Sequence, residues 1–141
     1  MFTYVCLGTD NLPRAAHFYD AVMGALGLSR CVTEAESDWD GWIGWGTYED
    51  DGRQEVALGL CAPVDGQPGG VANGSMIALH ASSWEQVQQF HRAALAHGGR
   101  CDGSPGLRPH YNADFYVAYV RDPDGHKLAA VCRGFTAPPS P

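Results

Sequence analysis

At 141 residues, with 45% hydrophobic and 18% charged side chains, the chain has the make-up of one globular domain able to bury a core. Its net charge of −7 and lack of any Lys/Arg cluster exclude the electrostatics by which nucleic acids and anionic membranes are bound. No run approaches the ~20 apolar residues of a membrane helix, and the N-terminus lacks the basic and apolar regions of a signal peptide, so a cytoplasmic protein is expected.

Five cysteines (Cys6, Cys31, Cys61, Cys101, Cys132) give an odd count without CxxC spacing. Cys6, Cys61 and Cys132 stand in apolar, strand-like runs, where a thiol behaves as a small hydrophobe. A reduced state fits this usage.

Phe2 to Gly8 is an apolar run of strand length. Asp10-Asn11 then offers an N-cap, and Pro13 falls where a helix tolerates a missing N–H. Leu12, Ala15, Ala16, Tyr19, Val22, Met23 and Leu26 recur at helical spacing and predict one buried stripe, closed by Gly24 and Gly27. Trp39, Trp42 and Trp45 follow at a spacing of three that matches neither face of a strand; at least one is assigned to the core. Pro63 to Asn73, rich in Gly and Pro, reads as a linker.

Ser75 to His80 is the next strand, and Ser83 with Gln86 forms a capping box for a helix carrying Val87, Phe90, His91, Ala94 and Leu95. Gly98-Gly99 ends that helix. Gly103 to Asp114 reads as a loop holding Arg108, His110 and Tyr111. Asp122-Pro123-Asp124-Gly125 is a turn between two strand-like runs, Phe115–Val120 and Lys127–Cys132, predicting a hairpin. The tail 136–141 is expected to be disordered.

A shift of 72 positions lays one half on the other without a gap. Tyr4-Val5-Cys6-Leu7 falls on Met76-Ile77-Ala78-Leu79, Phe18 on Phe90, Gly27 on Gly99, and Ala57 on Ala129. The chain is therefore read as a doubled strand-helix-three-strand unit, with modules at 1–62 and 74–135 joined by a linker at 63–73.

This doubled unit resembles the vicinal oxygen chelate superfamily of glyoxalases, bleomycin-resistance proteins and dioxygenases. Phe18-Tyr19-Asp20, Leu26-Gly27-Leu28, the run Val87 to Gly99 and Arg121-Asp122-Pro123-Asp124-Gly125 carry the likeness; the last two are similar to a glyoxalase-like bacterial subgroup. The resemblance implies an α+β fold in which two βαβββ modules form a cupped half-barrel of mixed sheets with the helices outside. It also implies a homodimer, and a divalent metal held in the cup by His, Glu or Gln.

Carried over position by position, the ligand places here are Tyr4, Ala57, Met76 and Ala129. Alanine cannot ligate, a thioether is a poor partner for a hard cation, and a neutral phenol binds weakly. No metal and no other cofactor is therefore expected, and metal-dependent glyoxalase or dioxygenase chemistry is not. A shifted site of Cys6, Cys61 and His80 stands as an alternative, because strand alternation places each on the face of a lost ligand.

Two functional readings follow. In the first, an open cup binds a small organic molecule through Tyr4, Ala57, Met76, His80, Tyr116 and Ala129, with Arg108 and Tyr111 from the loop for an anionic group. Tyr116 joins this set if the hairpin pairs Ala118 with Ala129. In the second, the scaffold runs a metal-independent lyase or isomerase reaction, with His80 and Tyr116 exchanging protons. A solvated loop with Arg108 paired to Asp114 is the plain alternative to an anion site.

Overall fold

The computed structural model describes residues 1–32 and 41–136. Strand β1 (Tyr4–Gly8) leads into helix α1 (Leu12–Ala25), followed by β2 (Trp42–Glu49) and β3 (Gln54–Cys61). The second half runs β4 (Met76–His80), α2 (Trp84–Ala96), β5 (Arg100–Leu107), β6 (Phe115–Arg121) and β7 (Lys127–Arg133). β1 and β4 begin 72 residues apart, as do α1 and α2, so the repeat read from the sequence is a repeat of structure.

Side-chain caps set the helix starts. Asn11 accepts the Arg14 N–H at 3.1 Å, and Ser83 accepts that of Gln86 at the same distance. The Gln86 amide oxygen reaches the N–H of Ser82 rather than Ser83, a capping box displaced by one residue.

The strands form two mixed sheets, ordered β1-β3-β2 and β4-β7-β6-β5. In each, the module's first strand lies parallel to its last, and the other pairings are antiparallel. This is the expected α+β arrangement of two modules, and it is not a closed barrel. Among the described residues, the strand matching β5 is represented in the first module by an Arg30–Trp45 bridge, flanked by bonds from Cys31 N–H to Gly44 and from Gly46 N–H to Ser29.

Each helix covers one face of its sheet. Phe18, Tyr19, Val22 and Met23 of α1 and Val87, Phe90 and Ala94 of α2 are almost wholly removed from water. Each large apolar side chain so buried contributes ~1.5–3 kcal/mol. Trp45 joins this core, whereas Trp42 faces the opposite side of the sheet, and Trp39 lies outside the described residues. The helices also pack on each other, and Gly99 has no room for a side chain because a Cβ there would meet the Phe18 ring and the carbonyls of Ala94 and Arg121.

The two hairpins differ in length. Residues 50–53 connect β2 to β3, and residues 122–126 connect β6 to β7, one residue more. Asp122 shapes the longer turn, one carboxylate oxygen accepting the N–H groups of Asp124 and His126 at 2.9 Å each. The extra residue moves the register: Ala118 pairs with Ala130, and Tyr119, not Ala118, lies opposite Ala129. A slip of one position turns every side chain over, so Tyr116 faces the helix and not the cup, correcting the pairing carried over from the first module.

The stretch read as a loop from Gly103 to Asp114 is strand as far as Leu107, with two register shifts where β5 meets β6. Of the tail, Thr136 is described, its hydroxyl accepting the Trp84 N–H at 2.7 Å; the remainder lies outside the described residues.

Candidate functional site

Alternation along the strands leaves one face of each sheet uncovered by helix. On the first module, Tyr4 of β1, Ala57 and Gly59 of β3, and Trp42, Gly44 and Tyr48 of β2 line a cavity of about 290 Å³. Gly44 and Gly59 leave its floor without side chains, and the Trp42 ring lies within van der Waals reach, 3.4 Å, of where a Gly59 Cβ would stand. Tyr4 meets Trp42 edge-to-face, ring centroids 6.5 Å apart. Tyr4 and Ala57 are direct register partners, so these two proposed residues are brought together.

Cys6 and Cys61 share that face. Their sulfurs are 3.3 Å apart, Cys61 buried and Cys6 exposed. Although Cys6 is exposed as a residue, partial burial of its thiol, then the hydrogen bond and the charge of its neighbour Cys61, push that thiol up to about 12. His80 lies elsewhere, in an apolar crevice of about 390 Å³ with Phe2, Val5 and Val56. The structure thus joins the two thiols of the shifted metal site but not its imidazole.

On the second module, Met76, Tyr119, Lys127, Arg108, His110 and Tyr111 line a cavity of about 400 Å³, with Asp102 and Gly103 at its side. Tyr119 stands between two cations, the Lys127 ammonium 5.0 Å and the Arg108 guanidinium 5.8 Å from its ring centroid. Asp102 is bridged by Lys127 at 3.2 Å and Arg121 at 3.1 Å, and Lys127 foremost holds its carboxyl below the usual carboxylate range.

Arg108 bonds only backbone carbonyls, Ser104 at 2.9 Å and Leu107 at 3.4 Å, and has no carboxylate partner among the described residues. Asp114, its expected partner, binds Arg133 and the Gly134 N–H instead. Tyr119 and Lys127 were not singled out from the sequence; placing Tyr119 on this face requires the true hairpin register, which the longer turn decides.

Tyr116 belongs to the helix side. Its ring stacks on Trp84 with centroids 4.3 Å apart, and its hydroxyl accepts from Gln88 at 2.9 Å. Ala129 is fully buried in the floor of the open face, opposite Tyr119. The eight proposed binding residues therefore fall into separate places: Tyr4 with Ala57, and Ala57 again with His80 in the apolar crevice; Met76, Arg108 and Tyr111 together, with Ala129 buried in the same face; and Tyr116 on the helix side.

The metal expected in a protein of this fold does not fit these residues. Ala57 and Ala129 offer no donor atom, Met76 pairs in register with Lys127, whose ammonium repels a cation, and no group of three His, Cys, Asp or Glu side chains converges among the described residues.

The family model of the Glyoxalase/Bleomycin resistance protein/Dioxygenase superfamily matches residues 2–130. A glyoxalase/bleomycin resistance protein from Albidiferax ferrireducens T118 is similar in structure with a TM-score of 0.77 and 34% identity, over 95% of this chain and 99% of that one. Two further structures share the fold. A glyoxalase/bleomycin resistance protein/dioxygenase family enzyme from Burkholderia phytofirmans PsJN has a TM-score of 0.64 and 18% identity, over 92% of this chain and 95% of that one. A lactoylglutathione lyase from Agrobacterium tumefaciens has a TM-score of 0.58 and 19% identity, over 93% and 92%. No curated protein matches the chain. The chain belongs to the Glyoxalase/Bleomycin resistance protein/Dioxygenase superfamily.

Proposed function

We propose that the protein binds a small organic anion on the open face of its second module, without a metal of the family type. The observation that carries this reading is Arg108, a guanidinium lining a cavity of about 400 Å³ with no carboxylate partner among the described residues. A planar, permanently charged fork suits a carboxylate or phosphate. Tyr119 supplies a ring face for the organic part of the ligand, and Tyr111, exposed at the rim, supplies a hydroxyl.

The reading as a metal-independent lyase or isomerase loses its proton-transfer pair, since His80 and Tyr116 stand on opposite faces of their sheet. Pairing into a homodimer belongs to the proposal: β1 and β4 are edge strands, with Phe2, Tyr4, Val56 and Met76 exposed near them.

The test is thermal unfolding with a panel of small aromatic carboxylates and organic phosphates, each beside its neutral amide or alcohol. A ligand that binds only the native state raises the melting temperature by mass action. Stabilisation by anions alone, lost in Arg108→Gln, supports the reading. Equal stabilisation by the neutral analogues overturns it.

A further inference from the structure

We infer that Asn73 is a site of spontaneous deamidation, where the Gly74 nitrogen closes on the Asn73 side chain and converts the link ahead of β4 into aspartyl and isoaspartyl forms. Neither residue lines the anion cavity, and the chemistry is independent of it.

Residues 72–75 make a tight turn, in which the Ser75 N–H donates to the Ala72 carbonyl at 3.2 Å. Asn73 and Gly74 are its two central residues, both exposed, and Gly74 holds φ at +93°. Glycine takes that place in a type II turn because it adopts positive φ without strain.

The same turn leaves ring closure unobstructed. The Asn73 side-chain amide has no hydrogen-bond partner among the described residues, so its Cγ can rotate toward the backbone. The Gly74 N–H is unpaired among them as well, and nothing there competes for the attacking nitrogen. A Cβ built on Gly74 would meet nothing within 4 Å, and glycine itself brings none.

The reaction needs only water. The Gly74 nitrogen loses its proton and bonds to Asn73 Cγ, the Cγ–Nδ2 bond breaks, and ammonia leaves with that proton. Water then opens the five-membered imide at either carbonyl. One opening gives aspartate; the other gives isoaspartate, with the main chain rerouted through Cγ. No electrons are exchanged. Each event adds one negative charge to a chain of net charge −7. The extra main-chain carbon falls three residues before Met76, where β4 begins its parallel pairing with β7.

The other asparagines are held. The Asn11 side chain caps α1, accepting the Arg14 N–H at 3.1 Å, and its successor Leu12 is helical. Asn112 precedes Ala113, whose methyl group crowds the nitrogen, and its own N–H and carbonyl are bonded to Arg108 and Phe115. Asp-Gly pairs such as Asp51-Gly52 can close the same ring by losing water, but hydrolysis restores their mass. A gain in mass therefore sets asparagine apart from them.

The full chain, aged in mildly alkaline buffer, tests this by intact mass, ion exchange and peptide mapping. The mass should rise by the exchange of NH2 for OH, with a more acidic species appearing alongside. Mapping should place the change at Asn73 as two isomers. The rate should rise about tenfold per pH unit, as the fraction of ionised amide does. Asn73→Gln, which would need a six-membered ring, should suppress the gain, and Gly74→Ala should do the same. No gain in the wild type, a gain mapped to Asn11 or Asn112, or an undiminished gain in Asn73→Gln overturns the assignment.

Discussion

The Tyr19 hydroxyl of α1 donates a 2.7 Å hydrogen bond to the carboxylate of Asp122, at the far end of the chain in the longer hairpin turn. Both groups are buried, and the other oxygen of Asp122 holds the turn itself. Around them, Thr9 and Arg14 bond Asp124, at 2.7 and 2.6 Å, and the His126 ring donates to the Gly8 carbonyl at 2.8 Å. The hairpin of one module is thereby fastened to the first strand and helix of the other.

Tyr19→Phe should therefore lower stability by ~1–3 kcal/mol, because a buried carboxylate oxygen loses its donor. Asp122→Ala should cost more, as it frees two backbone N–H groups as well as the tyrosine hydroxyl. Urea unfolding of both variants checks the order.

Arg108→Gln should reduce affinity for an anionic ligand by roughly 10- to 100-fold, the worth of a charge-assisted hydrogen bond of ~1.5–3 kcal/mol. Its melting temperature without ligand should hardly move, since Arg108 makes only surface bonds to carbonyls and a long, 5.8 Å cation–π contact with Tyr119. Calorimetric titration beside an unfolding curve separates the two effects.

Tyr116→Phe should show the converse. Losing the bond from Gln88 trims stability slightly, while ligand affinity stays unchanged because the ring packs on Trp84 behind the sheet. A large loss of affinity would place the ligand on the helix side.

The pH dependence of stability should carry the signature of His91. Its Nε2 is buried without a hydrogen-bond partner among the described residues, and burial lowers its pKa from the ordinary 6.5. The unfolded chain then binds the proton more readily than the folded one, so this contribution is intact above pH 6.5 and lost as pH falls below it. The difference in unfolding free energy between wild type and His91→Leu should shift in favour of the variant between pH 7.5 and 5. An unchanged difference would show that His91 is solvated.

Gly46→Ala should destabilise by ~1–3 kcal/mol or more. Gly46 holds φ at +129°, and a Cβ would collide with the Val56 carbonyl in the partner strand. Thermal unfolding of the variant checks this directly.

Much of this fold was legible because both levels of pattern agree. The capping residues Asn11 and Ser83, the helical stripe through Phe90 and the turn at Asp122 are local signals, and the 72-residue repeat ordered them into modules. The face of β6 was not legible, because it depends on counting the turn, and the repeat hides a one-residue difference there. Tyr119 was missed for that reason. The nearness of Cys6 and Cys61 was half visible: alternation put both on one face, but only the parallel register of β1 and β3 brings the sulfurs to 3.3 Å.

Gly46 of β2 and Ala118 of β6 are equivalent by sequence, yet one faces the open side of its sheet and the other the helix. A reading frame has been changed in space without any change in the frame of the chain. The two halves thereby present different chemistry on one shared architecture: thiols and a glycine floor on the first, a tyrosine between two cations on the second. Deleting one residue from the turn at 122–126 would exchange the inner and outer faces of β6 at a stroke, carrying Tyr116 outward and sending Tyr119 into the core.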